Sequence, residues 1–272
     1  MWFFFVIVMD MQREDVLVTA LRAAAEEILK YDPTKVETAI KSTAGDLVTA
    51  ADLGSEKVIS DTIKAAFPEE IVISEETAES HSALNDNDLP QLTGWVIDPI
   101  DGTNNFKHSM AYSGISIGYV VAGEPVLGGI LDPYRDLLYV AKRGEGTTCN
   151  GESIHVSNVT TFDAGTRVCT SNSSAKGGTQ VNLARYAKLG DVWVDVLGSA
   201  VLIMVDIASG KIDLYHHNGL KPWDNAAGFL IAKEAGAKIV GLQGQLVNWL
   251  TSEVVMGNPQ LVEQFIEKTI AG

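Results

Sequence analysis

The segment from Trp95 to Phe106, WVIDPIDGTNNF, carries two acids, Asp98 and Asp101, into a turn directly after an apolar stretch. An acid at the end of a buried strand is costly unless water or a cation compensates it. Other acids border apolar segments or turns in the same way: Asp52 in DLVTAAD, Glu75 in VISEE and Asp224 in LKPWDNAAG. Carboxylates gathered at one place raise each other's pKa, so several ionised acids together call for positive charge. Every candidate donor is an oxygen, with no His or Cys at zinc spacing. Hard cations, Mg2+ or Mn2+, match that set.

The turn holds further parts. The Ile100 carbonyl can point to the side of Asp98 and Asp101, Gly102 permits close backbone approach, and Thr103 offers a hydroxyl. A helix starting at GTNNF would aim its free N–H groups at the same point and hold a phosphate. Ion and anion would then share one turn. Asp224 on its own reads as an N-cap for the helix NAAGFLIAKEAG, and Glu76 as a surface acid. His216 and His217 are adjacent, so a strand sends them to opposite sides, and no third His or Cys stands nearby to complete a zinc site.

These residues need elements to bring them together. Apolar positions recur with helical period from Val16 to Tyr31, and LGSEKVISDTIKAAF reads as a second helix stopped by Pro68. EEIVISEET reads as a strand running into Glu75, and TGWVID as a strand ending at Asp98, where Pro99 favours extended backbone. YSGISIGYVVAGEPVLGGILDP then gives two strands around an Ala-Gly-Glu-Pro turn, continued as a meander with Gly-rich turns. Beyond VSNVTTFDAG the pattern becomes strand, helix, strand, helix through TRVCTS, QVNLARYAKL, DVWVDVLG and SAVLIMVDIASG, a second α/β layer. Two sub-domains are expected, 1–150 with most of the acids and 151–272 with Asp224 and a specificity segment.

Composition narrows the partners. A formal charge of −15, without a Lys/Arg run, argues against nucleic acid and anionic membranes. An anionic substrate would require metal ions to reverse the local field. Two cysteines, Cys149 and Cys169, make neither a disulfide framework nor a zinc pattern, which fits a reducing, cytoplasmic setting. The apolar run from Trp2 to Met9 falls short of the roughly 20 residues that span a bilayer and lacks the marks of a secretory signal. It reads as a tail ahead of the first helix.

WVIDPIDGTNNF, GDLVTAADLGSEKVI, ISEE and GLKPWDNAAGFLIAKEAGA, taken together and in this order, resemble the inositol monophosphatase family of Mg2+-dependent, lithium-sensitive phosphatases. The resemblance runs from about Lys41 to the C-terminal region. It implies an α+β fold, a layered αβαβα sandwich, and a homodimer acting on a small phosphorylated substrate. It also implies roles. Glu75, Asp98 and the Ile100 carbonyl would hold a first ion, and Asp98, Asp101 and Asp224 a second, with Glu75 reaching a third. Asp52 and Thr103 would orient or deprotonate the attacking water, with Lys41 near the metals. Gly102 and Thr103 would donate N–H groups to phosphate, and Gly198, Ser199 and Ala200 would meet substrate hydroxyls.

Inositol-specific relatives carry a glutamate where His217 stands, and a basic residue is common at the position of Asp195. The expected activity is therefore phosphomonoester hydrolysis of the inositol monophosphatase type, with a polyol or sugar phosphate as substrate. Fructose 1,6-bisphosphate, histidinol phosphate and the 2′-phosphate of NADP compete for that place. A metal-binding regulatory dimer without catalysis is the alternative of another class.

Overall fold

The computed structural model describes residues 2–40, 47–78, 89–170 and 178–270. Helix α1 (Trp2–Ile28) leads through a two-stranded ribbon, β1 (Thr38–Ile40) and β2 (Leu47–Thr49), into α2 (Ala50–Ala66). Strand β3 (Ile71–Ser74), the short α3 (Glu75–Ala78), β4 (Gly94–Asp101) and α4 (Thr103–Lys107) follow. A meander completes the first half: β5 (Gly114–Val121), β6 (Glu124–Asp132), β7 (Leu137–Lys142), β8 (Gly146–Cys149) and β9 (Glu152–Ser153). The second half alternates β10 (Arg167–Thr170), α5 (Gly178–Tyr186), β11 (Trp193–Val196), α6 (Ala200–Ala208), β12 (Leu214–Asn218) and α7 (Pro222–Glu234). It closes with β13 (Lys238–Val240), β14 (Glu253–Gly257) and α8 (Pro259–Ile270).

Strands β3 to β9 form one sheet in sequence order, parallel only at β3–β4. The second sheet runs β11-β10-β12-β14-β13, with the first three strands parallel. Side-chain alternation along β4 explains how layers stack on the first sheet. Trp95 and Ile97 face α1 and α2, packing with Leu17, Leu21, Ile59 and Ile63. Val96 faces the other way, into a core shared with Met204 of α6, Ala226 of α7, and Tyr215 and Met256 of the second sheet. On the far side of that sheet, Val168, Leu214, Tyr186 and Phe265 pack α5 and α8. The result is the αβαβα sandwich that the resemblance implies, and the two helices in its middle layer belong to the second half.

Local chemistry accounts for the key boundaries. Thr49 caps α2 while the Asp52 carboxylate bonds back to the Thr49 N–H, a reciprocal capping box. The β5–β6 hairpin turns on Ala122 and Gly123, both left-handed at φ 47° and 81°, as a two-residue turn requires. A side chain at Gly123 would also run into the Pro90 carbonyl.

Several boundaries differ from the sequence reading, among them that of α2, which takes in Ala50 to Asp52 ahead of LGSEKVISDTIKAAF. Helix α1 begins at Trp2 rather than after a tail: no Gly or Pro interrupts the run, although its aromatic and β-branched residues are not strong helix formers. No helix among the described residues is long and apolar enough to cross a membrane. Strand β4 continues past Asp98 to Asp101, because a bulge carries Pro99 through the ladder without its missing N–H being needed. Helix α7 starts at Pro222, so Asp224 lies at its third position rather than at its cap.

Candidate active site

In a regular strand, residues three apart point to opposite faces. Asp98 pairs with Ser116 and Asp101 with Gly114, so three steps on β4 match two on β5. That extra residue resets the alternation and turns both acids to the side where α7 lies. Asp224 arrives there from the first turn of α7, its Oδ2 accepting from Lys221 N–H at 2.7 Å. Asp98, Asp101 and Asp224 each offer an oxygen, and these lie within 4.8 Å of one another.

The electrostatics are those of crowded acids. Burial pushes the Asp101 carboxyl up to about 7, against bonds from Ser199 and Val201 that favour its charge, and the Glu75 charge adds to the rise. Burial and then the Asp101 charge hold Asp224 well above the usual carboxylate range. Three carboxylate oxygens this close, with burial opposing the ionisation of Asp101 and Asp224, fit a hard divalent cation.

Asp52 is fully buried. It accepts from Thr49 N–H at 2.8 Å and from the Thr49 hydroxyl at 2.5 Å. The Thr103 hydroxyl lies 3.0 Å from Asp52 Oδ1 and 3.1 Å from the Ile100 carbonyl, so its single proton has two alternative acceptors. Burial raises the Asp52 carboxyl, countered by the bonds from Thr49 and Thr103. Such an acid, linked through a hydroxyl to the turn that holds the metal candidates, can take up a proton.

The structure brings together Asp52, Thr103, Ile100, Asp98, Asp101 and Asp224. Glu75 opens α3, and its charge is felt by Asp52, Asp101 and Asp224, although its oxygens are not in the close triad. Gly102, at φ 90°, precedes α4 and lies against Gly198 and Ser199: a Cβ there would be 3.1 Å from the Gly198 carbonyl oxygen. Ser199 is fully buried and donates to Asp101, and Ala200 begins α6 behind it. Lys41 lies outside the described residues.

His217 is almost fully buried, its ring 5.8 Å from Tyr215 on one face of β12. His216 faces the opposite way, 5.6 Å from Phe265. Asp195 is clasped by Arg167 of the neighbouring strand at 2.5 and 3.2 Å.

Residues that sequence reasoning missed are mainly props. The Ser55 hydroxyl donates to the Pro99 carbonyl at 2.9 Å, tying α2 to the bulge. Ser55 follows Asp52 by three residues on one helix face, a spacing that offered a signal. Asn105 donates to the Tyr112 carbonyl at 2.7 Å and packs against Gly198, a pairing that sequence does not advertise.

Known proteins share the sequence pattern and the fold of this chain. A model of the inositol monophosphatase family matches residues 10–271. The Nus factor SuhB of Escherichia coli (strain K12) is 33% identical over 258 residues, covering 93% of each chain. Inositol monophosphatase 1 of Pongo abelii is 31% identical over 262 residues, covering 94% of this chain and 93% of the relative. A solved IMPase/NADP phosphatase complexed with Mg2+ and phosphate superposes with a TM-score of 0.80 at 25% identity, covering 96% of each chain.

Proposed function

The chain belongs to the inositol monophosphatase family, and from that premise we propose that it is a Mg2+-dependent phosphomonoester hydrolase acting on a small phosphorylated polyol or sugar. The observation that carries the reading is the convergence of Asp98, Asp101 and Asp224 within 4.8 Å. The solved relative holding Mg2+ and phosphate supports the choice of ion.

In this reading Asp98, Asp101 and Asp224, with Glu75 and the Ile100 carbonyl beside them, hold the cation. The ion held there would supply Lewis acidity, making a water more acidic and offsetting charge on the leaving oxygen. Asp52 receives the proton of the attacking water through the Thr103 hydroxyl, which lies 3.0 Å from it. The N–H groups of Gly102 and Thr103 orient the phosphate. Phosphoryl transfer asks chiefly for positioning and charge stabilisation, so no covalent nucleophile is needed. In this reading His217, Gly198 and Ala200 border the substrate.

The test is phosphate release from a panel of sugar, inositol and nucleotide phosphates, with Mg2+ and with chelator. Asp98→Asn and Asp224→Asn are expected to lower the rate by at least ~10²–10³, the loss typical of removing one preorganised electrostatic group. Near-normal turnover by Asp98→Asn at saturating Mg2+ removes Asp98 from the assignment. The name of the Escherichia coli relative, a Nus factor, favours a second reading as a regulatory protein. Folded protein that releases no phosphate from any ester would support that one.

A further inference from the structure

Helix α6 comes from the second half of the chain, yet its first turn grips an acid of the first. Asp101 Oδ2 accepts from the Ser199 hydroxyl at 2.5 Å and from Val201 N–H at 2.8 Å. The same Ser199 oxygen accepts from Leu202 N–H at 3.3 Å and caps the helix. Its one proton is therefore committed to Asp101, and one of its lone pairs to α6. A side chain so engaged and fully buried has no proton to offer a substrate. Two donors fix Oδ2, the Ala200 N–H adds a further bond to the same carboxylate, and the group held this way still offers an oxygen within 4.8 Å of those of Asp98 and Asp224.

Helix α6 is itself held against that turn. A Cβ on Gly198 would meet the Asn105 side chain at 2.6 Å, so the backbone here lies directly on α4. Asn105 in turn donates to the Tyr112 carbonyl at 2.7 Å, and the Tyr112 hydroxyl donates to Asp206 Oδ2, near the other end of α6, at 2.9 Å. The helix is pinned at both ends to the segment that carries Asp101.

We propose that Ser199 is a positioning residue whose hydroxyl, fixed by α6, orients the Asp101 carboxylate so that one oxygen faces Asp98, Asp224 and a divalent cation. The inference rests on the metal-dependent reading of the site. It differs from the family expectation that Ser199 meets substrate hydroxyls, and the two roles separate by experiment.

Mn2+ binding to the full chain is measured from the electron paramagnetic resonance of the free ion, for wild type, Ser199→Ala, Ser199→Thr and Asp98→Asn. Rates on a generic phosphomonoester are measured across Mg2+ and substrate concentrations. Ser199→Ala is expected to bind Mn2+ about ten- to a hundred-fold more weakly, the usual cost of losing a partner that orients a ligand. It should need correspondingly more Mg2+ while keeping substrate KM near wild type once Mg2+ saturates. Ser199→Thr, which retains the hydroxyl, should restore both. Circular dichroism at the assay temperature checks the fold. If Ser199→Ala does not fold, Ser199→Cys replaces it, similar in size but a weak donor, with a loss of affinity in the same direction. Unchanged Mn2+ affinity in the folded variant, with or without a raised substrate KM, overturns the positioning role. If Asp98→Asn loses Mn2+ while the Ser199 variant does not, only this inference fails. A wild-type chain that binds no Mn2+ overturns the metal-dependent reading as well.

Discussion

At the scale of residues, the adjacent pair His216 and His217 divides two tasks. The family resemblance would put a glutamate at the position of His217; a glutamate accepts several hydroxyl hydrogen bonds, whereas neutral imidazole has one acceptor and one donor. A buried polar group rejects strongly a substrate it cannot satisfy. The expected outcome is weak preference for inositol 1-phosphate over esters with an added anionic or acceptor group, and a shift toward inositol phosphate in His217→Glu. The ratio of kcat/KM values over one substrate panel decides it, and a flat ratio removes His217 from substrate recognition. His216 is instead fully buried, and burial lowers its pKa from the usual 6.5, with Arg185 acting the same way and Glu253 opposing. Below about pH 6.5 the unfolded chain takes up a proton that the folded chain resists, so this residue costs stability as pH falls. Thermal midpoints from pH 7.5 to 5.5 at fixed Mg2+ should therefore drop more steeply in wild type than in His216→Phe. What was legible at this scale was chemistry rather than geometry. Residue types marked Asp52, Asp98, Asp101 and Asp224, but strand alternation alone sends Asp98 and Asp101 apart, and only the bulge reunites them. The bond from Ser199 to Asp101 joins residues 98 apart in sequence, a distance over which no local pattern carries information.

At the scale of elements, α7 delivers Asp224 by lying very close to the first sheet. A Cβ on Gly118 would come within 2.8 Å of Ala226 Cβ and 3.0 Å of the Ala226 carbonyl carbon, and one on Gly128 within 3.0 Å of Ala227 Cα. The seam consists of glycines facing alanines, so a methyl group has only helix backbone to displace. Gly118→Ala is expected to destabilise the protein by about 1–3 kcal/mol, the usual cost of overpacking, and to raise the Mg2+ concentration needed for half-maximal rate because Asp224 rides on the displaced helix. Denaturant unfolding and a Mg2+ titration of the rate test both effects. An unchanged Mg2+ requirement in a destabilised variant would separate the seam from the site. Periodicity made the elements themselves readable, since every one that positions an acid appeared as an apolar pattern with turn residues at its ends. Its limits lay at the boundaries: NAAGFLIAKEAG contains most of α7, but the proline that starts it stands two residues before Asp224.

At the scale of the whole molecule, the described packing of α1 begins at Arg13, whose guanidinium lies 2.5 Å from Glu70 and over the rings of Phe67 and Tyr119 at 4.9 and 4.7 Å. Leu17 and Leu21 then enter the core. Removing Met1 to Met9 leaves those anchors in place, so circular dichroism and turnover are expected to match the full chain. Loss of folded protein on that deletion would assign the first turns of α1 a share in the core. The layered order was foreseeable from the resemblance, whereas the threading of α6 and α7 between the two sheets was not, because sequence proximity ties them to the second sheet alone.

Given that threading, an ion held between Asp98, Asp101 and Asp224 as proposed would be a non-covalent cross-link between the two halves of the chain. An unfolded chain cannot assemble the triad, so free ion at about 100 times its dissociation constant would favour the folded state by roughly 2.7 kcal/mol through mass action. Chelation would then register throughout the molecule, as faster proteolysis at bonds remote from the acids. The supply of divalent ion would govern how long each copy survives as well as how fast it works.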